Sequence, residues 1–138
     1  MPELVAVLII VGVLAAVAVP RLTRSGFDEA RLHDETVAAL RYAQRTAIAY
    51  QRTVCATFTG TQLTLTYGFG YGSACDTALM PPGGGTAPYT VLAQGSASYT
   101  GAASFAYDRV GRPSIAAQMI IAIGGQQIVV EPETGYVH

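Results

Sequence analysis

The residues able to do polar chemistry in this chain are few and scattered. Cys55 and Cys75 are twenty positions apart (75 − 55), which offers neither a CxxC redox pair nor a zinc-ligand spacing. His33 falls in a helix-patterned stretch and His138 is the last residue of the sequence, and neither neighbours a nucleophile. There is no G-x-S-x-G elbow, no P-loop and no H-E-x-x-H. Asp108 with Arg109, and Glu131 with Glu133, read as turn and edge charges. The expectation is a chain that is not an enzyme and takes no metal and no cofactor.

The cations are all arginine. Lysine and arginine together number 8 against 9 acids, the net charge is −1, and no lysine is present. A general nucleic-acid binder carries a basic excess, and this chain does not. After Arg52 only Arg109 and Arg112 remain, so these two are the candidate DNA contacts of the C-terminal half. Arg41, Arg45 and Arg52 share a face of the preceding helix pattern. They read either as a charged contact to a neighbouring subunit or an anion, or, more simply, as a solvated face. The two cysteines are either free thiols or a disulfide, and their even count with an exported context makes the Cys55–Cys75 disulfide the expectation. A disulfide pinning a loop to a strand would fit an oxidising compartment and contribute about 3 kcal/mol.

These groups need elements to position them, and the sequence divides into two kinds. From Leu4 to Val19 no side chain is polar, while the rest of the chain is rich in Gly, Thr, Ser and Tyr. Hydrophobic residues make up 51% and charged ones 12% of the whole, about half the ordinary charged share of roughly 25%. A secretory signal would need a basic segment ahead of the apolar run, and the first charge here is the acid Glu3. A buried core helix would need a larger protein around it. A short membrane helix is the remaining reading, with Arg21 and Arg24 as interfacial anchors. Glu3 at its head either seeks a cationic partner, such as an amine, or sits favourably at a helix N-terminus. Pro20 would kink the rod, and Ser25 with Asp28 would cap a new helix if the rod broke near Gly26.

From Asp28 to Gln51 there is no Gly or Pro. Leu32, Val37, Leu40, Ala43, Ala47 and Ile48 form an amphipathic stripe there. The period then changes to two. Val54, Ala56 and Phe58, a Gly60-Thr61 turn, and Leu63, Leu65 and Tyr67 predict a hairpin. Residues 68–88 read as a Gly/Pro-rich excursion, 89–94 and 104–107 as strands, and 108–113 as a turn. Met119–Ile123 and Gln126–Glu131 flank a Gly124-Gly125 turn. This assigns residues 1–24 to an apolar assembly helix and 25–138 to a globular domain, helical to about residue 52 and sheet beyond.

Glu3-Leu4, the apolar run and Pro20-Arg21, with the acid and the proline seventeen positions apart (20 − 3), resemble the N-terminus of type IV pilins and type II secretion pseudopilins. The stretch LRYAQRTAIAYQRTV from Leu40 to Val54, and the ending VEPETGYVH, resemble the GspH/FimT branch of minor pilins and pseudopilins. The resemblance implies an α+β pilin-like fold, with a long N-terminal helix, its first half membrane-spanning, packed on an antiparallel β-sheet. It implies a precursor with a basic leader, cut and methylated by a prepilin peptidase, in which Met1 is an internal methionine. It implies a single-pass bacterial inner-membrane protein with a periplasmic domain, later part of a cell-surface filament or periplasmic pseudopilus. The expected function is that of a structural subunit that builds or initiates a type IV pilus or secretion pseudopilus with other pilin subunits. In it Glu3 would meet a neighbour's N-terminal amine. The alternative implied by the same branch is DNA binding for uptake, through Arg109 and Arg112.

Overall fold

Seventeen residues of nearly unbroken aliphatic sequence form the first helix in the computed structural model, which describes residues 1–18, 24–70 and 73–138. This helix, α1 (Pro2–Ala18), carries Glu3 in its first turn and has no polar face. At about 1.5 Å per residue it is roughly 25 Å long, short of a hydrocarbon core of roughly 30 Å. No helix among the described residues is long and apolar enough to cross a membrane. That overturns the expected single-pass inner-membrane placement, with its membrane-spanning first half. Pro20 with its kink, and Arg21 with its anchoring role, lie outside the described residues.

The second helix, α2 (Arg24–Tyr50), runs through Gly26 without a break. One helical glycine costs only about 1 kcal/mol, which the packing of the following six turns readily offsets. Ser25 and Asp28 therefore lie within the helix, with no break near Gly26 to start a new one. Leu32, Thr36, Ala39, Leu40, Ala43 and Ala47 are buried, at steps of one, three and four residues. Ile48 was expected on this stripe but is 44% exposed. It lies one position on from Ala47, about 100° around the axis, and so falls at the edge of the stripe.

The helix ends in a turn that reverses the chain. Gln51 has φ of 53°, Gln51 N–H donates to Ile48 O at 3.3 Å, and Arg52 N–H donates to Ala47 O at 3.1 Å. This pairing is a Schellman motif, with glutamine where glycine is usual. It satisfies the last carbonyls and delivers the chain into β1.

β1 (Val54–Phe58) and β2 (Gln62–Tyr67) form the expected antiparallel hairpin, in register from Val54↔Tyr67 to Phe58↔Leu63. Val54, Ala56, Leu63 and Leu65 point to the core. Within the long excursion β3 (Thr77–Ala78) pairs with the end of β2, and β4 (Tyr89–Leu92) pairs with its start. β5 (Phe105–Tyr107) covers the free edge of β1. β6 (Met119–Ile123) and β7 (Gln126–Val130) make a separate two-stranded sheet. At their turn Gly124 has φ of 57°, and a Cβ there would collide with the Glu29 carboxylate. The last residues fold back onto β7, with Val129 N–H donating to His138 O at 2.7 Å and His138 N–H to Val129 O at 3.0 Å.

The architecture is α+β with antiparallel sheets, as expected. The strands fall into two sheets, not one, and α2 packs on β1, β4, β5, β6 and β7. A helix wide enough to touch both sheets gives them one shared core.

Candidate functional site

Every residue from 1 to 16 is exposed. Leu8 and Leu14 each leave 64% of their surface uncovered, and Ile9 leaves 62%. Monomeric proteins rarely expose a contiguous apolar area beyond a few hundred Å², so an all-round apolar rod is a surface built to be covered. Glu3 is the only charge in it, set in the first turn where the helix N-terminus favours an acid. Glu3 makes no hydrogen bond or ion pair among the described residues.

Cys55 and Cys75 are joined in a disulfide, with Cα atoms 6.1 Å apart. The bond ties β1 to the excursion that leads into β3. Arg109 and Arg112 lie on the turn after β5, which is closed by Asp108 N–H donating to Arg112 O at 2.9 Å. Arg112 is already occupied: its Nη2 pairs with the Glu133 carboxylate, and its Nε donates to Glu133 O at 3.2 Å. The arginine therefore straps this turn to the C-terminal turn.

The helix arginines divide in the same way. Arg41 Nη2 donates to Val137 O at 3.0 Å and holds the returning C-terminal segment. Beside it Gln44 Nε2 donates to Gly111 O at 3.0 Å and to Thr134 O at 2.7 Å, so one amide fastens both turns to α2. Arg41 is exposed, as a solvated face requires, and also holds the chain end through Val137 O. Arg45 is exposed. Gln44 was not singled out from the sequence, where a helical glutamine carries no distinguishing signal.

Inside the core Thr36 Oγ1 donates to Leu32 O at 2.6 Å, which leaves it to accept from Tyr99 Oη at 2.8 Å. Burial pushes the Tyr99 phenol up to about 12. Tyr107 is fully buried with no hydrogen-bond partner for its hydroxyl among the described residues, and burial raises its phenol further. Glu131 accepts from Gln118 at 2.8 Å and meets His138 at 3.2 Å, and both contacts hold its carboxyl below the usual range. No group of three or more metal-ligating side chains occurs among the described residues.

The Schellman turn places Arg52 on an aromatic shelf. Its guanidinium carbon lies 4.5 Å from the Phe69 ring centroid and 5.9 Å from that of Tyr67. Those two rings stack at 25°, and Tyr50 meets Tyr67 edge-on at 6.2 Å. Tyr50, Arg52 and Tyr67 line a hollow of about 280 Å³. Phe69 is 67% and Tyr50 55% exposed. The sequence hint was the aromatic density of YGFGYG from Tyr67 to Gly72, but nothing local connects it to Tyr50 and Arg52.

No protein-family model, curated protein or solved structure matches this chain. What it does is therefore read from its own geometry.

Proposed function

We propose that the chain is a structural subunit of a filament of the pilus or pseudopilus kind, a minor pilin or pseudopilin that adds to or initiates the assembly with other such subunits. The observation that carries this is α1, an apolar rod with exposed side chains all round it, preceding a domain with its own complete core. Burying one Val, Leu or Ile side chain contributes roughly 1.5–3 kcal/mol. Nine such side chains on α1, from Leu4 to Leu14, are each more than half exposed. Covering even part of that surface with helices of neighbouring copies provides a driving force large against the cost of association. Glu3 is the single polar feature of the rod and sets its axial register, since a carboxylate entering an apolar bundle needs a cationic partner. The Arg112–Glu133 pair leaves the DNA-uptake alternative without a supporting observation.

The test is assembly of the full chain, followed by sedimentation and electron microscopy. Leu8→Asp puts a charge on the middle of α1 and should abolish pelleting while leaving the denaturation midpoint of the domain unchanged. Assembly of Leu8→Asp equal to wild type would remove this reading.

A further inference from the structure

Two uncovered surfaces of complementary character lie on this one chain. The first is the head of α1, where Glu3, Leu4 and Val7 border a hollow with Met1. The second is the shelf beyond the end of α2. The Arg52 guanidinium carbon lies over the Phe69 ring, 4.5 Å from its centroid. The guanidinium N–H donors lie in the plane of the group and point from its edge. Among the described residues no acceptor meets them. Arg52 is thus held in place by rings while its hydrogen-bonding fork stays open.

Other arginines are differently engaged. Arg31 pairs with Glu35, Arg41 holds Val137 O, and Arg112 holds Glu133. Arg45 is exposed and no ring stacks on it among the described residues. Arg52 combines an open fork with aromatic rings beside it.

We propose that this shelf receives the α1 head of a second copy of the chain. Glu3 accepts paired hydrogen bonds from the edge of the Arg52 guanidinium, a geometry arginine and carboxylate share. Leu4 and Val7 lie against Tyr50 and Tyr67. The two surfaces differ, so the contact is heterologous, and a heterologous contact that does not close on itself propagates as an open helical array. This rests on the filament reading above and names the contact through which one copy finds the next.

A charge swap tests it on the full, disulfide-bonded chain, with self-association measured by sedimentation across a concentration series at low salt. Arg52→Glu and Glu3→Arg should each weaken association by about tenfold or more. The double variant should recover most of that loss, because only directly paired charges couple in this way. A double variant no better than the weaker single one overturns the proposal, as does Arg52→Glu associating like wild type. If Glu3 met an N-terminal amine instead, Glu3→Arg would stay defective whatever stood at position 52. Tyr50→Ala is the second arm should Arg52→Glu shift the denaturation midpoint. It keeps both charges, trims an exposed ring, and should weaken association several-fold; no change overturns the contact. A wild-type chain that stays monomeric removes the filament reading and this contact together. A chain that associates through α1 but ignores the swap removes this contact alone.

Discussion

Removing the Cys55–Cys75 bond is the perturbation whose size follows most directly from the fold. The bond closes a ring of sequence separation 20, and in the chain-entropy view a ring of that length stabilises by about 3 kcal/mol, acting on the unfolded chain. The folded chain has independent ways to hold the same segment. Thr77 and Ala78 pair with Tyr67 and Thr66, Leu79 N–H donates to Leu65 O at 3.3 Å, and Leu79 is 2% exposed. Cys55→Ala combined with Cys75→Ala should therefore keep the native sheet and lose stability through the unfolded state. Alanine is the better replacement here, since a hydroxyl at these half-buried positions would add a desolvation cost. In guanidinium chloride the midpoint should fall by about 1 M, and the slope should rise because the unlinked chain exposes more surface. The thermal midpoint should drop by roughly 10 °C. Wild-type protein treated with reductant should converge on the double variant. An unchanged midpoint would refute the ring-closure reasoning. So would loss of amide protection at Leu79 in the variant, because the bond would then be holding native structure.

Gln44→Ala removes the one donor shared by Gly111 O and Thr134 O, and should cost about 1–3 kcal/mol in urea unfolding. Faster hydrogen exchange should appear at Gly111 and Gly135 before it appears at β1. Raising the pH should leave stability flat until about 10, the ordinary phenol value, and then lower it up to about 12. The folded chain keeps the Tyr99 proton across that window while the unfolded chain releases it, so alkali favours unfolding. Tyr107 pushes in the same direction. Denaturation midpoints at pH 9 and 11 check this, and a stability that does not fall between them would contradict the burial of both phenols.

Much of the fold was legible because its signals are local. The stripe on α2 survives as Leu32, Leu40, Ala43 and Ala47, and the alternation from Val54 to Tyr67 gives the expected hairpin. Gly124-Gly125 marks the turn between β6 and β7 because a left-handed φ at the first position excludes most side chains. The two-residue β3 was not legible. A strand that short has no period to read, and it forms only because β2 offers an unpaired edge beside the disulfide. The expected membrane span is a separate matter. Among the described residues α1 covers Pro2–Ala18, and no helix there is long and apolar enough to cross a bilayer, because a span needs about 20 apolar residues.

Composition and period alone determined that an apolar rod precedes an amphipathic helix and an antiparallel sheet, since each follows from the side chains of neighbours in sequence. They also pointed to a disulfide between Cys55 and Cys75, which the fold forms. The tertiary structure decided that the strands split into two sheets under one helix, and that the chain end returns to β7 beneath Arg41. It decided that Gln44 fastens two turns at once. It also brought Tyr50, Arg52, Tyr67 and Phe69 onto one shelf. Those arrangements join residues up to 96 positions apart. Such contacts are selected by shape and by the need to satisfy buried carbonyls, which no short window of sequence records.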